Sequence, residues 1–287
     1  MRRLPRPRGL TGSFWRRTST RRVLLRGSVG IAPVVFLGTW RGRLGAQSAR
    51  GAVQAMTARR AQAAPACVVS PVLTEGPYFV DELLYRTDIR SDPTTGVVQD
   101  GVPLYLTLNF SSVSDNACAP LVGAAIDIWQ CNALGVYSDV NDPHFDTKGQ
   151  QFLRGTQHTD DNGSVQFLTI YPGWYMGRAV HTHIKVRTDP ASETGYVSNT
   201  QLFYDDALSD QVFTLPPYSS KGQRDTRNAD DGIYQQSGGA TLLDIQLTPD
   251  GQAYTAAIDI GVDLSNPVQS NGPPPGGPPP GTGASTP

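Results

Sequence analysis

Two histidines spaced His-x-His stand near the middle of the 287-residue chain, in the stretch YPGWYMGRAVHTHIKV. They are His181 and His183, and the chain has only four histidines in all. Apolar and polar residues alternate around them, which predicts a β-strand with both imidazoles on one face. A rise of about 3.3 Å per residue places the two rings roughly 6–7 Å apart, near enough to converge on one ion. The alternative is a histidine pair on a solvated face; the apolar neighbours favour a metal site.

Neighbouring residues bear on which metal such a pair would hold. The sequence lacks an HExxH signature and a close cysteine cluster, so it lacks the usual patterns of a zinc protease or zinc finger. Tyr175 precedes the histidines, after a turn at Pro172-Gly173. A phenol has an ordinary pKa of about 10, so its anion at neutral pH needs a strong Lewis acid, and this ligand type suits trivalent iron. Spacing alone does not distinguish Tyr175 from an aromatic residue that packs a loop.

The segments that must position these residues read mostly as short strands. Alternation at period two marks PLYLTLNFSSV, AAIDIWQ, VQFLTI and VHTHIKV. The stretch TLLDIQLTPDGQAYTAAIDIGV predicts two strands joined by a hairpin turn at Asp250-Gly251. Helical periodicity is scarce. We therefore expect an all-β chain, a β-sandwich with long loops at its rim, over residues 67–266.

The charge is unevenly distributed. The first sixty residues carry 14 arginines and no acidic residue, which leaves 10 basic against 25 acidic residues and a balance near −15 in the remainder. Phosphate binding needs a basic surface, so an acidic body argues against nucleic acid as a partner.

The basic segment over residues 1–66 has the pattern of an export leader and linker. Paired Arg21-Arg22 precede the apolar run SVGIAPVVFLGTW, as in twin-arginine signals. That run is shorter than the roughly 20 apolar residues of a membrane span, so we expect no stable span in the mature protein. Cleavage after Ser48 or after Ala63 is compatible with the sequence. A basic leader with an accidental arginine pair is the alternative to an exported, extracellular or envelope-associated protein.

The three cysteines and the C-terminus are less informative. Export predicts one disulfide among Cys67, Cys118 and Cys131 with one thiol left over, and a bridge to Cys131 would pin the loop ahead of Tyr137. Residues 267–287, rich in proline and glycine, have almost nothing to bury and predict a disordered tail.

Several segments together carry a family resemblance. The chain resembles the intradiol ring-cleavage dioxygenases, and among them the exported type that has only the β-sandwich catalytic domain. The matching segments are TEGPYF, PLVGAAIDIWQCNALGVYSD, FLRGTQHTDDNGSVQFLTIYPGWYMGRAVHTHIKV and TQLFYDD. Any one of them alone is weak, whereas the combination is specific.

The resemblance implies a mononuclear, non-haem Fe(III) held by two tyrosines and two histidines, with O2 as co-substrate and small-molecule catechols as substrates. Carried onto this sequence, the ligands are Tyr137, Tyr175, His181 and His183. In the family's mechanism Tyr175 leaves the metal when substrate binds and takes up a proton, and the product is a cis,cis-muconate. The resemblance also implies that Arg178 and Gln201 stabilise charge that develops on the substrate.

One departure limits what transfers from the family. Only five residues separate Tyr175 from His181, where the soluble aromatic-degrading enzymes carry a longer insertion. The short form fits the exported type and predicts a more open pocket. No helical N-terminal dimerisation domain is recognisable, so the preferred catechol and the oligomeric state do not carry over.

Two other functions stay open at this level. A non-catalytic β-sandwich that binds a ligand would be favoured if one of the four ligand positions were missing, and all four are present. A zinc hydrolase built on His181 and His183 would need a third histidine or a carboxylate. Neither His144 nor His158 has a suitable spacing, and both are predicted to be surface residues.

Overall fold

The computed structural model describes residues 68–114, 117–189 and 195–265. The predicted leader over residues 1–66, Cys67 and the proline-rich tail over residues 267–287 lie outside the described residues. In the part of the chain that is described, none of the helices has the length and apolar character needed to cross a membrane.

Most of the secondary-structure elements in the described residues are strands, and two short α-helices accompany them. The strands are β1 Pro103–Ser114, β2 Ala117–Pro120, β3 Ala125–Trp129, β4 Asn141–Asp142, β5 Phe145–Asp146, β6 Arg154–His158, β7 Ser164–Ile170, β8 His181–Arg187, β9 Val197–Phe203, β10 Ile245–Leu247 and β11 Tyr254–Val262. The helices are α1 Asp206–Val212 and α2 Gly232–Ser237, with 3-10 turns at Tyr218–Ser220 and Asn228–Asp230.

Two main sheets form the body. The first has the order β10-β11-β1-β2, with β7 also paired to β1, and the second has the order β6-β3-β8-β9. β1 and β11 run parallel, and the other pairs in these sheets are antiparallel. Strands β4 and β5 form a separate small hairpin.

The core lies between the two sheets, as the period-two patterns predict. Alternate residues of β1 are buried, and they pack in one cluster with apolar side chains of β3 and β8. Members of this cluster include Leu104, Leu106, Leu108, Phe110, Ile126, Ile128, Ile184 and Val186. The prediction of an all-β sandwich is confirmed, and so is the hairpin at Asp250-Gly251, since β10 and β11 pair antiparallel across it.

The second sheet buries its other face too. On β8, Ile184 and Val186 face the core, so the alternating residues His181, His183 and Lys185 lie on the opposite face. The segment before β1 covers that face: Lys185 Nζ lies 2.7 Å from a carboxylate oxygen of Glu75. The histidines are therefore enclosed although they point away from the core of the sandwich.

Candidate metal centre

His181 and His183 lie side by side on a strand that is paired on both edges. β3 and β9 flank β8, with Trp129 and Gln201 as the register partners of His183. Both imidazoles are buried, and their Nε2 atoms are 3.1 Å apart. The predicted same-face pair is confirmed, and tilting of the rings brings the nitrogens closer than the spacing along the strand.

The surroundings favour neutral imidazoles, and on His181 they leave the Nε2 lone pair directed toward the tyrosines. Burial, with the charge of Arg178 adding to it, holds the pKa of His181 well below its usual range. Burial and then the neighbouring His181 do the same for the pKa of His183. His181 Nδ1 lies 2.7 Å from the carbonyl oxygen of Ala179, which assigns the proton to Nδ1 and leaves Nε2 as an acceptor. A neutral Nε2 of this kind is the form in which histidine binds metals.

Both predicted tyrosine ligands reach the same point from loops. Tyr137 lies on residues 130–140 between β3 and β4, here called the Tyr137 loop, and Tyr175 on residues 171–180 between β7 and β8, the Tyr175 loop. Their hydroxyl oxygens are 3.5 Å and 3.1 Å from His181 Nε2. Burial raises the pKa of Tyr137 well above its ordinary value and that of Tyr175 to about 12. The raised pKa values disfavour both phenolates although the charge of Arg178 opposes the shift, and a metal cation bound at the oxygens would favour them.

This donor set fits ferric iron. Two neutral imidazole nitrogens and two phenol oxygens meet at one buried point, and a hard Lewis acid there would stabilise the phenolates that burial alone disfavours. The described residues contain no cluster of three or more His, Cys, Asp or Glu side chains that could hold a metal. The donor set that a zinc hydrolase needs is therefore missing from that part of the chain.

Arg178 and Gln201 adjoin this point and contact each other. The Arg178 guanidinium lies 3.4 Å from His181 Nε2 and donates to the side-chain oxygen of Gln201 at 2.6 Å. Gln201 is fully buried and donates onward to the carbonyl of Thr74 at 2.8 Å. The resemblance placed both residues at the site, and the structure places them there.

A buried carboxylate that sequence reasoning missed holds Arg178 in place. Asp231 Oδ2 accepts from Arg178 Nε and from the Ala179 backbone N–H, both at 2.8 Å. Its other oxygen accepts from Ile233 N and Tyr234 N, so Asp231 is also the N-cap of α2. An aspartate before Gly-Ile-Tyr is a recognisable cap signal, but nothing local connects it to an arginine 53 residues away.

Aromatic residues pack around the ligands. The Trp129 indole stacks on His183, with ring centroids 4.8 Å apart and an interplanar angle of 9°. The Tyr78 ring stacks on Tyr137 at 4.6 Å, and its hydroxyl donates to Asp142 on β4 at 2.7 Å. Gly76 of TEGPYF crosses His183 with a φ of +77°, and a Cβ there would lie 3.0 Å from His183 Cε1. TEGPYF thus forms part of the wall around His183 and Tyr137.

A pocket of about 300 Å³ opens onto the two tyrosines. Tyr78, Phe145 and Met176 line it, together with Asp142 and the exposed side chain of His144. His158 lies elsewhere, with Nδ1 3.1 Å from the Gly123 carbonyl oxygen. The prediction that both histidines are surface residues is confirmed, and His144 additionally borders the pocket.

The cysteines correct one expectation. Cys118 is disulfide-bonded, whereas Cys131 is a buried free thiol whose Sγ lies 3.5 Å from the carbonyl oxygen of Gly173. The hypothesis that a disulfide to Cys131 pins the Tyr137 loop is therefore wrong. The thiol contacts the Tyr175 loop instead.

Comparisons with known proteins agree on one family. A family model described as "Dioxygenase" matches residues 74–191. An intradiol ring-cleavage dioxygenase from Tetranychus urticae superposes with a TM-score of 0.62 at 29% identity, covering 71% of this chain and 98% of that one. A second solved dioxygenase is 30% identical with the same coverage and a TM-score of 0.61. A catechol 1,2-dioxygenase of Candida albicans is 42% identical over 94 residues, which is 32% of this chain and only 30% of that protein's length.

Proposed function

The chain belongs to the intradiol ring-cleavage dioxygenase family, and from this we propose that it is a secreted non-haem iron enzyme that opens catechol rings between the two hydroxyl-bearing carbons. Both atoms of O2 would enter the product, so that catechol plus O2 gives a cis,cis-muconate. The observation that carries the proposal is the convergence of Tyr137, Tyr175, His181 and His183 at one buried point. Ferric iron bound there would supply a Lewis acid that chelates a catecholate and draws electron density from it.

The two tyrosines would have different roles in the reaction. Tyr137 is 1% exposed and would stay in place as an anchor with the histidines. Tyr175 is only partly buried and lines the pocket, so it is the phenol that an entering catechol can replace. Because burial raises its pKa to about 12, Tyr175 Oη favours the protonated form and would accept a proton from the catechol as it leaves.

Arg178 and Gln201 would stabilise charge on the substrate. The guanidinium is held by Asp231 at 2.8 Å and faces His181 Nε2, so it is oriented before substrate arrives. Gln201 is fixed between Arg178 and the Thr74 carbonyl. Preorganised donors of this kind act on charge that develops during reaction without any cost of reorienting them.

The pocket favours a flat aromatic substrate. Tyr78 and Phe145 supply aromatic walls beside Tyr137 and Tyr175. Aromatic rings pack against one another in stacked or edge-on arrangements, which a catechol ring can join. We therefore assign small-molecule catechols as the substrate class.

Visible absorption of the purified, ferric-loaded protein tests this function. We expect a broad band from tyrosinate-to-iron charge transfer, which moves to longer wavelength when catechol is added without O2. Admitting O2 should then consume one O2 per catechol. Tyr137→Phe should remove much of the band, whereas Tyr85→Phe should not, because Tyr85 stacks on His158 away from the site. A wild-type protein that stays colourless after ferric loading would rule the proposal out.

Export by the twin-arginine route is a second part of the proposal, supported by the sequence of the leader. The test is a leader-fused reporter in cells that have this export system. With the native leader, we expect the reporter outside the cytoplasm. With the double substitution Arg21→Lys and Arg22→Lys, we expect it to stay in the cytoplasm. Equal export of both fusions would contradict the route.

A further inference from the structure

The Tyr137 loop and the Tyr175 loop meet backbone to backbone just ahead of their tyrosines. Gly173 N donates to the Asn132 carbonyl at 3.1 Å. A Cβ on Gly173 would overlap the carbonyls of Asn132 and Ala133, and a Cβ on Gly135 would overlap the Trp174 carbonyl. The two loops are therefore in direct backbone contact at these glycines.

Lys221 ties these loops together from a third segment. Its Nζ donates to the carbonyl oxygens of Leu134 and Trp174, both at 2.6 Å. Leu134 lies three residues before Tyr137, and Trp174 immediately precedes Tyr175. The ammonium group also lies 4.7 Å from the centroid of the Trp174 ring. One side chain thus holds both tyrosine-bearing loops close to the tyrosines themselves.

The segment that carries Lys221 is itself anchored in the core. Tyr218 is 1% exposed, and its hydroxyl donates to the Tyr171 carbonyl at 2.6 Å and accepts from Val102 N at 3.0 Å. The indole N–H of Trp174 adds a bond to the Gly222 carbonyl at 3.2 Å. The backbone next to Lys221 is therefore held in place, as its ammonium group is.

An ordinary surface lysine would not make these contacts. Lys221 is half-buried, and within the described residues no carboxylate forms an ion pair with it. Two of the three N–H donors of its ammonium group go to main-chain oxygens instead. Hydrogen bonds from a charged donor are stronger than those from a neutral donor. The two bonds from Lys221 can therefore hold the loops at a fixed separation.

We propose that Lys221 is a positioning residue that fixes the separation of the Tyr137 and Tyr175 phenols and so governs how readily Tyr175 leaves and returns. The inference rests on the function proposed above. It does not make Lys221 a ligand or a substrate contact, since its ammonium group is bonded to the loop backbones.

Lys221→Met tests the inference, because methionine keeps an unbranched apolar stem beside Trp174 and removes both hydrogen bonds. We expect the variant to bind ferric iron but to show a shifted and broadened tyrosinate band. The value of kcat/KM for catechol should fall roughly 10- to 100-fold, the scale of a ligand misplaced by about 1 Å. Lys221→Arg keeps the charge and donors and should recover part of both signals. Lys148→Met is the matched control, because Lys148 bonds only the Tyr137 loop, at the Asp139 carbonyl.

The outcomes separate the two proposals. A coloured, active wild type with a Lys221→Met variant of unchanged band and kcat/KM overturns the positioning role and leaves the enzyme function standing. A colourless wild type overturns both. If Lys221→Met does not fold, Trp174→Phe removes the bond to Gly222 and the indole beside the Lys221 ammonium group, and it must shift and broaden the band for the inference to hold.

Discussion

The two histidines and the two tyrosines meet at one point but are held by different kinds of structure. His181 and His183 belong to β8, which is hydrogen-bonded to β3 on one side and β9 on the other. Their spacing follows from the covalent geometry of a strand. Tyr137 and Tyr175 stand on loops whose positions depend on contacts with other segments, Lys221 among them. The histidine half, here called the platform, is positioned by the sheet, and the tyrosine half is positioned by contacts between separate segments.

Within the tyrosine half, Tyr175 has the mobile part of the proposed reaction, and the buried Tyr137 stays in place as an anchor. A ligand that leaves and returns needs a backbone that can give slightly, whereas a ligand that anchors must not move. The partly buried Tyr175 lies on the loop side, and both buried imidazoles lie on the sheet. Changes to the sheet side should therefore abolish metal binding, and changes to the loop side should alter the spectrum and rate first.

The largest effect is expected on the platform. His183→Ala removes one of the four proposed ligands, so the ferric band should disappear. Ring cleavage should fall by more than the roughly 10- to 100-fold typical of residues that only orient a ligand. Iron content and visible absorption measure the first effect, and O2 uptake the second.

Thr182→Ser is the control for that variant. Thr182 lies between the histidines on the same strand but faces the other way, and its hydroxyl contacts Gln130 and Tyr204. Loss of one buried methyl should cost about 1 kcal/mol of unfolding free energy and leave the band intact. A His183→Ala variant that keeps wild-type colour would contradict the claim that changes on the sheet side abolish metal binding.

An intermediate effect is expected where the two loops touch. Gly173→Ala places a methyl against main-chain carbonyls that cannot move aside, so the loops must separate. Iron should still bind, while kcat/KM falls roughly 10-fold and unfolding free energy drops by about 1–3 kcal/mol. Gly232→Ala is the matched control, since a Cβ at that exposed position meets nothing within 4 Å. Equal effects of the two substitutions would show that loop contact does not matter.

The smallest effect is expected for the pH dependence of stability, and it concerns Glu82, which lies near Trp129. Burial, opposed by the charge of Arg154, raises the pKa of Glu82 to about 7. Glu82, Trp129 and Arg154 line a cavity of about 10 Å³. A carboxyl with a raised pKa stabilises the fold fully below its unfolded pKa of about 4.5, and that contribution is lost as pH rises through about 7.

The melting temperature of Glu82→Gln relative to that of wild type should therefore be higher at pH 8 than at pH 5. The charge of Arg154 offsets part of the cost of burial, so we expect the difference in melting temperature to grow by only about 2 °C. Thermal melts of both proteins at the two pH values measure it, with Asp161→Asn in an exposed turn as control. A difference that shrinks with rising pH would contradict the sign.

Sequence patterns predicted the platform better than the loops, for a physical reason. Alternation at period two fixes which side chains share a face, so His181 and His183 were paired from the residues alone. Loop conformation depends on contacts between distant segments, and Tyr137 was identified only through the family resemblance. Lys221 and Asp231 have partners 47 to 87 residues away, so no local pattern connected them to the site.

The parallel pairing of β1 with β11 has a consequence for how the chain comes to fold. Asn109 on β1 and Asp259 on β11 are 150 positions apart in the sequence and form a side-chain hydrogen bond. During synthesis β1 emerges early, yet one of its edges stays open until β11 is made. Contacts so distant in sequence favour slow folding, and an open strand edge invites association with other chains. A chain cut short before β11 should therefore aggregate even though every proposed iron ligand is already present.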